Sequence, residues 1–173
     1  MAILTRPTSA KQRTAEYLHS YYPTYSRNFG RESRRILDFK DGLWSAFQFY
    51  AEALQDRICT TAVLAVVPPH APGRSSSVAL LAHRLACKHR RVDASACLRR
   101  HRRIAKLAAG GDRSMQVHFN SVSVENQHLI CGRRITLLDD VTTTGNSLSA
   151  CRQLLLDAGA LSVRCFALAK TTR

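Results

Sequence analysis

The chain has 173 residues, with 26 Lys and Arg against 12 Asp and Glu and a formal net charge of +14 at pH 7. That length supports one compact domain with its own core, and a hydrophobic share of 45% excludes a disordered basic tail. The longest apolar run falls far short of the roughly 20 residues that span a bilayer, and residues 1–13 carry no long apolar stretch behind their charges, so a soluble, cytoplasmic protein with no membrane contact is expected.

The first 35 residues are polar and rich in Tyr and Arg. A short helix is predicted over 8–19, capped by Thr8 or Ser9, with Pro23 as its breaker. An extended piece at 35–39 leads to Asp41, an N-cap candidate. Behind it Leu43, Phe47, Tyr50, Leu54 and Ile58 recur at three- and four-residue steps, one apolar face of a helix over about 42–57, widened by Trp44. Residues 61–67 are β-branched and aliphatic and read as a buried strand of a parallel sheet. The strand ends in a Pro/Gly loop, 68–74, and a helix follows from Ser75–Ser77 through Val78, Leu81 and Leu85 to about Lys88.

Residues 84–113 concentrate the charge: ten Lys and Arg face only Asp93 and Asp112, a net +8. A short strand is predicted at 94–98, and Gly110-Gly111 breaks any helix crossing the segment. Strands follow at 120–124 and 134–138. A helix over 147–158 places Leu148, Leu154 and Leu155 inward, with Gly159 as its C-cap, and 161–169 reads as a last strand. Hydrophobic strands alternating with helices predict an α/β fold with a mainly parallel central sheet. The six cysteines lie 10 to 34 residues apart with no CxxC pair. Most sit beside apolar residues and are expected to be structural thiols.

The most informative segment is Ile135-Thr-Leu-Leu-Asp139-Asp140-Val-Thr142-Thr143-Thr144-Gly145-Asn146-Ser147-Leu148. A buried strand delivers two carboxylates to the carboxyl edge of the sheet, where open α/β sheets bind ligands. The following loop offers hydroxyls, a Gly and a helix start, which together suit a phosphate. Two adjacent carboxylates suit vicinal hydroxyls. A ligand with a phosphate at one end and a diol at the other is a ribose 5-phosphate. GxxxxGK[ST] and GxGxxG are absent.

Over about 13 positions this segment resembles the phosphoribosyl-pyrophosphate (PRPP) motif of type I phosphoribosyltransferases: four apolar residues, two acids, then a Thr/Gly phosphate loop. The resemblance extends over about 35–172. It implies a type I phosphoribosyltransferase-like domain at 35–173 and a small N-terminal hood or basic extension at 1–34. It implies that Asp139 and Asp140 hold the ribose hydroxyls and stabilise charge on the ring, and that Thr142, Thr143, Thr144, Gly145, Asn146 and Ser147 wrap the 5′-phosphate. It places the pyrophosphate site at the loop after the first central strand, with His70 and Arg74 as candidate contacts. Pro68, Pro69 or Pro72 could supply a cis peptide there, and a rigid Pro turn explains the same residues. The basic run at 99–113 corresponds to the family's flexible loop. Some of Arg99, Arg102, Arg103, Lys106 and Arg113 would meet pyrophosphate, and His101 and His118 are candidate proton donors. A solvated cationic face is the alternative for the whole run.

The Asp41-Gly-Leu-Trp helix start, the Val-Val-Pro-Pro-His loop and the Ala167-Leu-Ala-Lys-Thr-Thr end are similar to the ComF/GntX competence-associated branch. That branch often begins with a cysteine-rich zinc module, which this chain lacks. The implied activity is transfer of ribose 5-phosphate from PRPP to a base or amine, releasing pyrophosphate, with Mg²⁺ arriving on the substrate. Tyr17, Tyr21, Tyr22, Tyr25 and Phe29 would stack a base if the hood recognises the acceptor; core packing is the alternative. A homodimer is suggested by the superfamily alone. A second reading is a non-catalytic protein that senses PRPP or a nucleotide and binds nucleic acid or a protein partner through its basic surface.

Overall fold

The computed structural model describes residues 15–74, 76–104 and 114–172. In chain order its elements are β1 (Glu16–Tyr21), α1 (Arg31–Lys40), α2 (Trp44–Gln55), β2 (Val63–Val66), α3 (Ser77–Ala86), β3 (Val92–Asp93), β4 (Leu98–Arg100), α4 (Met115–Phe119), β5 (Val122–Val124), β6 (Arg134–Thr142), α5 (Asn146–Asp157) and β7 (Ser162–Thr171). Five strands make one sheet in the order β1-β7-β6-β2-β3, each neighbouring pair parallel. β4 and β5 form a separate antiparallel pair. The fold is α/β with a mainly parallel sheet, as the strand–helix alternation predicts.

The central strands are buried on both faces, as parallel sheets require. Alternation sends Leu64, Val66 and Leu138 to one face, where they pack with Ile36, Phe39, Tyr50, Leu54, Leu81 and Leu85 of α1–α3. It sends Val63, Ala65, Ile135 and Leu137 to the other, against Leu148, Cys151 and Leu155 of α5. Each fully buried large aliphatic contributes about 1.5–3 kcal/mol. After β2 the chain crosses one face through α3 and reaches β3 on one side. After β6 it crosses the opposite face through α5 and reaches β7 on the other side. Strand order therefore reverses between β2 and β6, which opens a crevice at their carboxyl ends.

Several local expectations are corrected. Residues 16–19, expected as the end of a helix, lie in β1, paired in parallel with β7; residues 8–14 lie outside the described part. The stretch 35–39, expected as extended, belongs to α1, whose Ile36 and Phe39 face the core. Asp41 is not an N-cap: it closes α1, its amide donating to the Leu37 carbonyl and the Gly42 amide to that of Phe39. Trp44 does not widen the α2 stripe but stands 66% exposed, stacked on Phe47. Of the strand expected at 94–98, only Leu98 is in a strand, opening β4, while 94–97 turn the chain from β3. No described peptide bond is cis, those at Pro68, Pro69 and Pro72 included. α3 begins nearly as expected, with Ser76 accepting the Ala79 amide.

Part of the charge excess is structural. Arg91 is 6% exposed. It donates to the carbonyls of Gln55 at the end of α2, of Ile58 and Cys59 just after it, and of Leu85 in α3. Carbonyls at helix ends lack intrahelical partners and carry partial negative charge, so one guanidinium closes two helices. No described helix is long and apolar enough to cross a membrane.

Candidate phosphate and diol site at the strand-order reversal

β6 does not stop at Leu138. It runs on through Asp139, Asp140, Val141 and Thr142, in register with 167–170 of β7. The two acids are therefore strand residues, and the pleat points them to opposite faces. Asp139 follows Ile135 and Leu137 toward α5. Asp140 follows Leu138 toward α1, where Lys40 in the last turn of that helix lies 3.2 Å from its carboxylate. Each carboxylate also accepts the next backbone amide, Asp140 N–H onto Asp139 and Val141 N–H onto Asp140. Burial pushes the Asp139 carboxyl well above the usual range, and the charge of Asp140 pushes it further. The strand end thus carries one acid inclined to keep its proton and one exposed enough to meet a ligand.

Thr142 is buried at the strand end. Thr143 and Thr144 are exposed, and the Thr143 hydroxyl lies 2.9 Å from that of Thr171. Gly145 turns the chain into α5 at φ 81°, a conformation that favours glycine. Its carbonyl accepts the Ser149 amide at 2.8 Å. Asn146 and Ser147 begin α5, and no side chain caps the helix. Hydroxyls and a helix N-terminus converge at the reversal, an arrangement that suits an anion.

The β2–α3 loop lies beside it. The Val67 amide bonds the Leu138 carbonyl at 2.9 Å, which joins the two strand ends. His70 is half-buried, and its carbonyl accepts the amide of Ile104, so the start of the basic segment folds back onto this loop. Arg74 is exposed. A groove of about 400 Å³ is lined by Pro68, Pro69, Arg74, Leu80, His83 and Asp93. Its walls come from the β2–β3 side, not from 139–147. The anion loop itself is a surface cradle.

The other candidates are scattered. Arg99 projects from β4 and pairs with Glu125 at 3.4 Å. Arg102 and Arg103 are exposed beyond β4. Lys106 and Arg113 lie outside the described residues. His118 is 2% exposed, and its Nε2 lies 3.1 Å from the Ser147 hydroxyl.

Sequence reasoning missed two residues. Lys40 carried no signal, because its helix was read as extended. Arg100 did carry one: in a strand, Leu98 and Arg100 share a face while Arg99 takes the other. Arg100 is 4% exposed and donates to the Pro69 carbonyl at 2.6 Å and to the Ser121 hydroxyl.

Fold and site together define an α/β protein with an acid pair and a hydroxyl-bearing turn into a helix at the reversal of its strand order. No protein-family model and no curated protein matches the chain. Among solved structures it is similar to a purine phosphoribosyltransferase from Pyrococcus horikoshii Ot3, at 16% identity and TM-score 0.39, covering 87% of this chain and 77% of that one. It is also similar to a hypoxanthine phosphoribosyltransferase from Staphylococcus aureus, at 12% identity and TM-score 0.41, covering 83% and 69%. At these scores the reading of the site rests on its own residues.

Proposed function

We propose that the chain binds PRPP and transfers its ribose 5-phosphate to a base or amine acceptor, with release of pyrophosphate. The observation that carries this reading is the continuous run from the acids of β6 into the Thr143–Gly145 turn and α5, set beside the β2–α3 loop. In it the 5′-phosphate lies in the cradle of Thr142, Thr143, Thr144, Gly145, Asn146 and Ser147. The ribose lies over Asp140, whose carboxylate accepts from a ribose hydroxyl, with Lys40 holding that carboxylate in place. As the bond from C1 to pyrophosphate loosens, positive charge grows on the ring, and the carboxylate end of β6 stabilises it. Asp139, on the opposite face of the strand and driven toward its neutral form, adds no second full charge beside the ribose.

The backbone of the β2–α3 loop with Arg74, and Arg102 and Arg103 beyond β4, receive the pyrophosphate. Arg99, already paired with Glu125, is the weaker candidate. The acids offer hard oxygen ligands of the kind Mg²⁺ takes. In this reading Mg²⁺ would arrive with PRPP, and Asp140 is the carboxylate placed to meet it. When bound it neutralises the leaving pyrophosphate.

Calorimetric titration with PRPP and Mg²⁺ is the test. Wild-type protein is expected to bind, and Asp140→Asn combined with Thr144→Ala to lose at least about tenfold in affinity. No binding by wild type, or equal binding by the double variant, overturns the reading. A screen for pyrophosphate release across bases and amines identifies the acceptor.

A second reading, a PRPP or nucleotide sensor that binds nucleic acid, is favoured by one surface. Arg31, Arg34, Arg35 and Phe49 line a shallow groove on α1 and α2. The Arg35 guanidinium lies 3.8 Å from the Phe49 ring centroid, and Arg34 lies over Phe29. Cations interleaved with rings suit a phosphate backbone with stacked bases. Gel shift of labelled DNA and RNA at rising salt tests it; no shift at low salt removes it.

A further inference from the structure

Arg100 is a buried cation whose acceptors are all neutral: the carbonyls of Pro68 and Pro69, the Ser121 hydroxyl, and Nδ1 of His118. None of the ion pairs among the described residues includes it. Burying a charge without a counter-ion is costly, and this one sits between the two loops of the candidate site. On one side it grips the backbone of the β2–α3 loop. On the other its terminal nitrogen lies 3.4 Å from His118 Nδ1, and His118 Nε2 lies 3.1 Å from Ser147 Oγ in the cradle. Arg100 and His118 are 4% and 2% exposed.

The chemistry of the groups gives this chain a direction. A guanidinium has donors and no acceptor, so Nδ1 of His118 must accept. A neutral imidazole accepting at Nδ1 carries its proton on Nε2. That N–H then donates to Ser147 Oγ. A serine hydroxyl has one proton, and with its oxygen receiving from His118 that proton points elsewhere. The remaining direction is the cradle.

We propose that Arg100 and His118 are positioning residues that fix Ser147 as a hydrogen-bond donor to the 5′-phosphate and tie the phosphate cradle to the pyrophosphate loop. The proposal rests on the PRPP reading for the identity of its ligand. It adds a reason for the uncompensated cation: the ligand's own phosphates supply the missing negative charge. It also makes the phosphate monoester end of the ligand, rather than the pyrophosphate alone, the group this network selects.

Two measurements test it. The first needs no ligand. A long-range ¹H–¹⁵N spectrum of the free protein at neutral pH should show His118 as the neutral Nε2–H tautomer. The Nδ1–H tautomer or an imidazolium overturns the relay. The second titrates ribose 5-phosphate and pyrophosphate separately into wild type and variants. Ser147→Ala should weaken ribose 5-phosphate by about tenfold and pyrophosphate little. His118→Asn keeps an acceptor near Nδ1 and removes the donor to Ser147, so it should give a similar loss. The double variant should lose no more than either alone, because the two groups act through one bond. His118→Gln, which places an amide N–H near the Nε2 position, should recover most of the affinity.

Additive losses, or unchanged binding in Ser147→Ala, overturn the proposal; the latter measurement stands even if the buried His118 variants fail to fold. Failure of wild type to bind either PRPP or ribose 5-phosphate overturns the PRPP reading, and the ligand end of the relay with it. The tautomer reads the internal half independently of that result.

Discussion

Asp139 is held in a position that charge makes unfavourable. Burial, then Asp140, raises its carboxyl above the ordinary range. From the ordinary carboxylate value up to the raised one, the folded chain keeps a proton that the unfolded chain releases. Stability on this account is full at low pH and falls as pH rises through that window. Asp139→Asn keeps the acceptor for the Asp140 amide and removes the charge. Its melting temperature should exceed wild type at pH 7, and the difference should shrink toward about pH 4. The cysteines divide by the same physics. Cys59 is exposed, and its hydrogen bond with Thr61 lowers its pKa. Burial pushes Cys97 up to about 12, Cys165 to about 11, and Cys151 up as well. Iodoacetamide labelling read by mass spectrometry should modify Cys59 first and leave Cys97 and Cys151 untouched until the protein unfolds. Both acids and all six thiols stand plainly in the sequence, but the state of each does not. That of the acids depends on β6 continuing through Thr142, whereas the apolar pattern stops at Leu138, and that of the thiols on how deeply the fold buries each one.

Among elements, those that touch the core on several sides were legible. β2, β6, α3 and α5 announce themselves by runs of apolar residues or by three- and four-residue spacing, because burial itself imposes those patterns. α1 was not, since its Arg-rich sequence turns only Ser33, Ile36 and Phe39 fully inward. β3 and β4 have two and three residues, too few to show a period. The cradle was legible as composition; the separation of its two acids and the ion pair to Lys40 were not, because both need the neighbouring helix. Two substitutions probe element ends. Arg91→Ala orphans the helix-end carbonyls of α2 and α3, and urea unfolding should show a loss of about 2–4 kcal/mol. Gly145→Ala meets no clash, the nearest side-chain atom lying 3.9 Å from an added Cβ. It must nevertheless adopt φ 81°, at a cost of about 1–2 kcal/mol. Its melting temperature should fall modestly, and affinity for the phosphate ligand should fall with it.

At the scale of the molecule, the charge of +14 separates into parts with different roles. Arg91 and Arg100 are buried and hold backbone carbonyls. Arg164 pairs with Glu16 across β7 and β1, and Lys40 pairs with Asp140. Among the described residues Arg31 and Arg34 on α1 and Arg102 and Arg103 beyond β4 are exposed and form none of these ion pairs. A mutant lacking Arg31, Arg34 and Arg35 should lose the salt-sensitive part of any nucleic-acid binding and keep its PRPP affinity, because that surface is separate from the 139–147 cradle.

β1 pairs with β7, so Glu16 lies opposite Phe166 and the Thr172 amide bonds the Tyr21 carbonyl. β1 has as its neighbour a strand that the ribosome makes long after it. During synthesis the edge of the sheet cannot close until β7 emerges, some 150 residues after β1. Pairings this distant in sequence form late and slow folding. Until then β1 is an unpaired strand able to add to another chain, which makes the closing of this edge the step most exposed to misassembly between nascent copies.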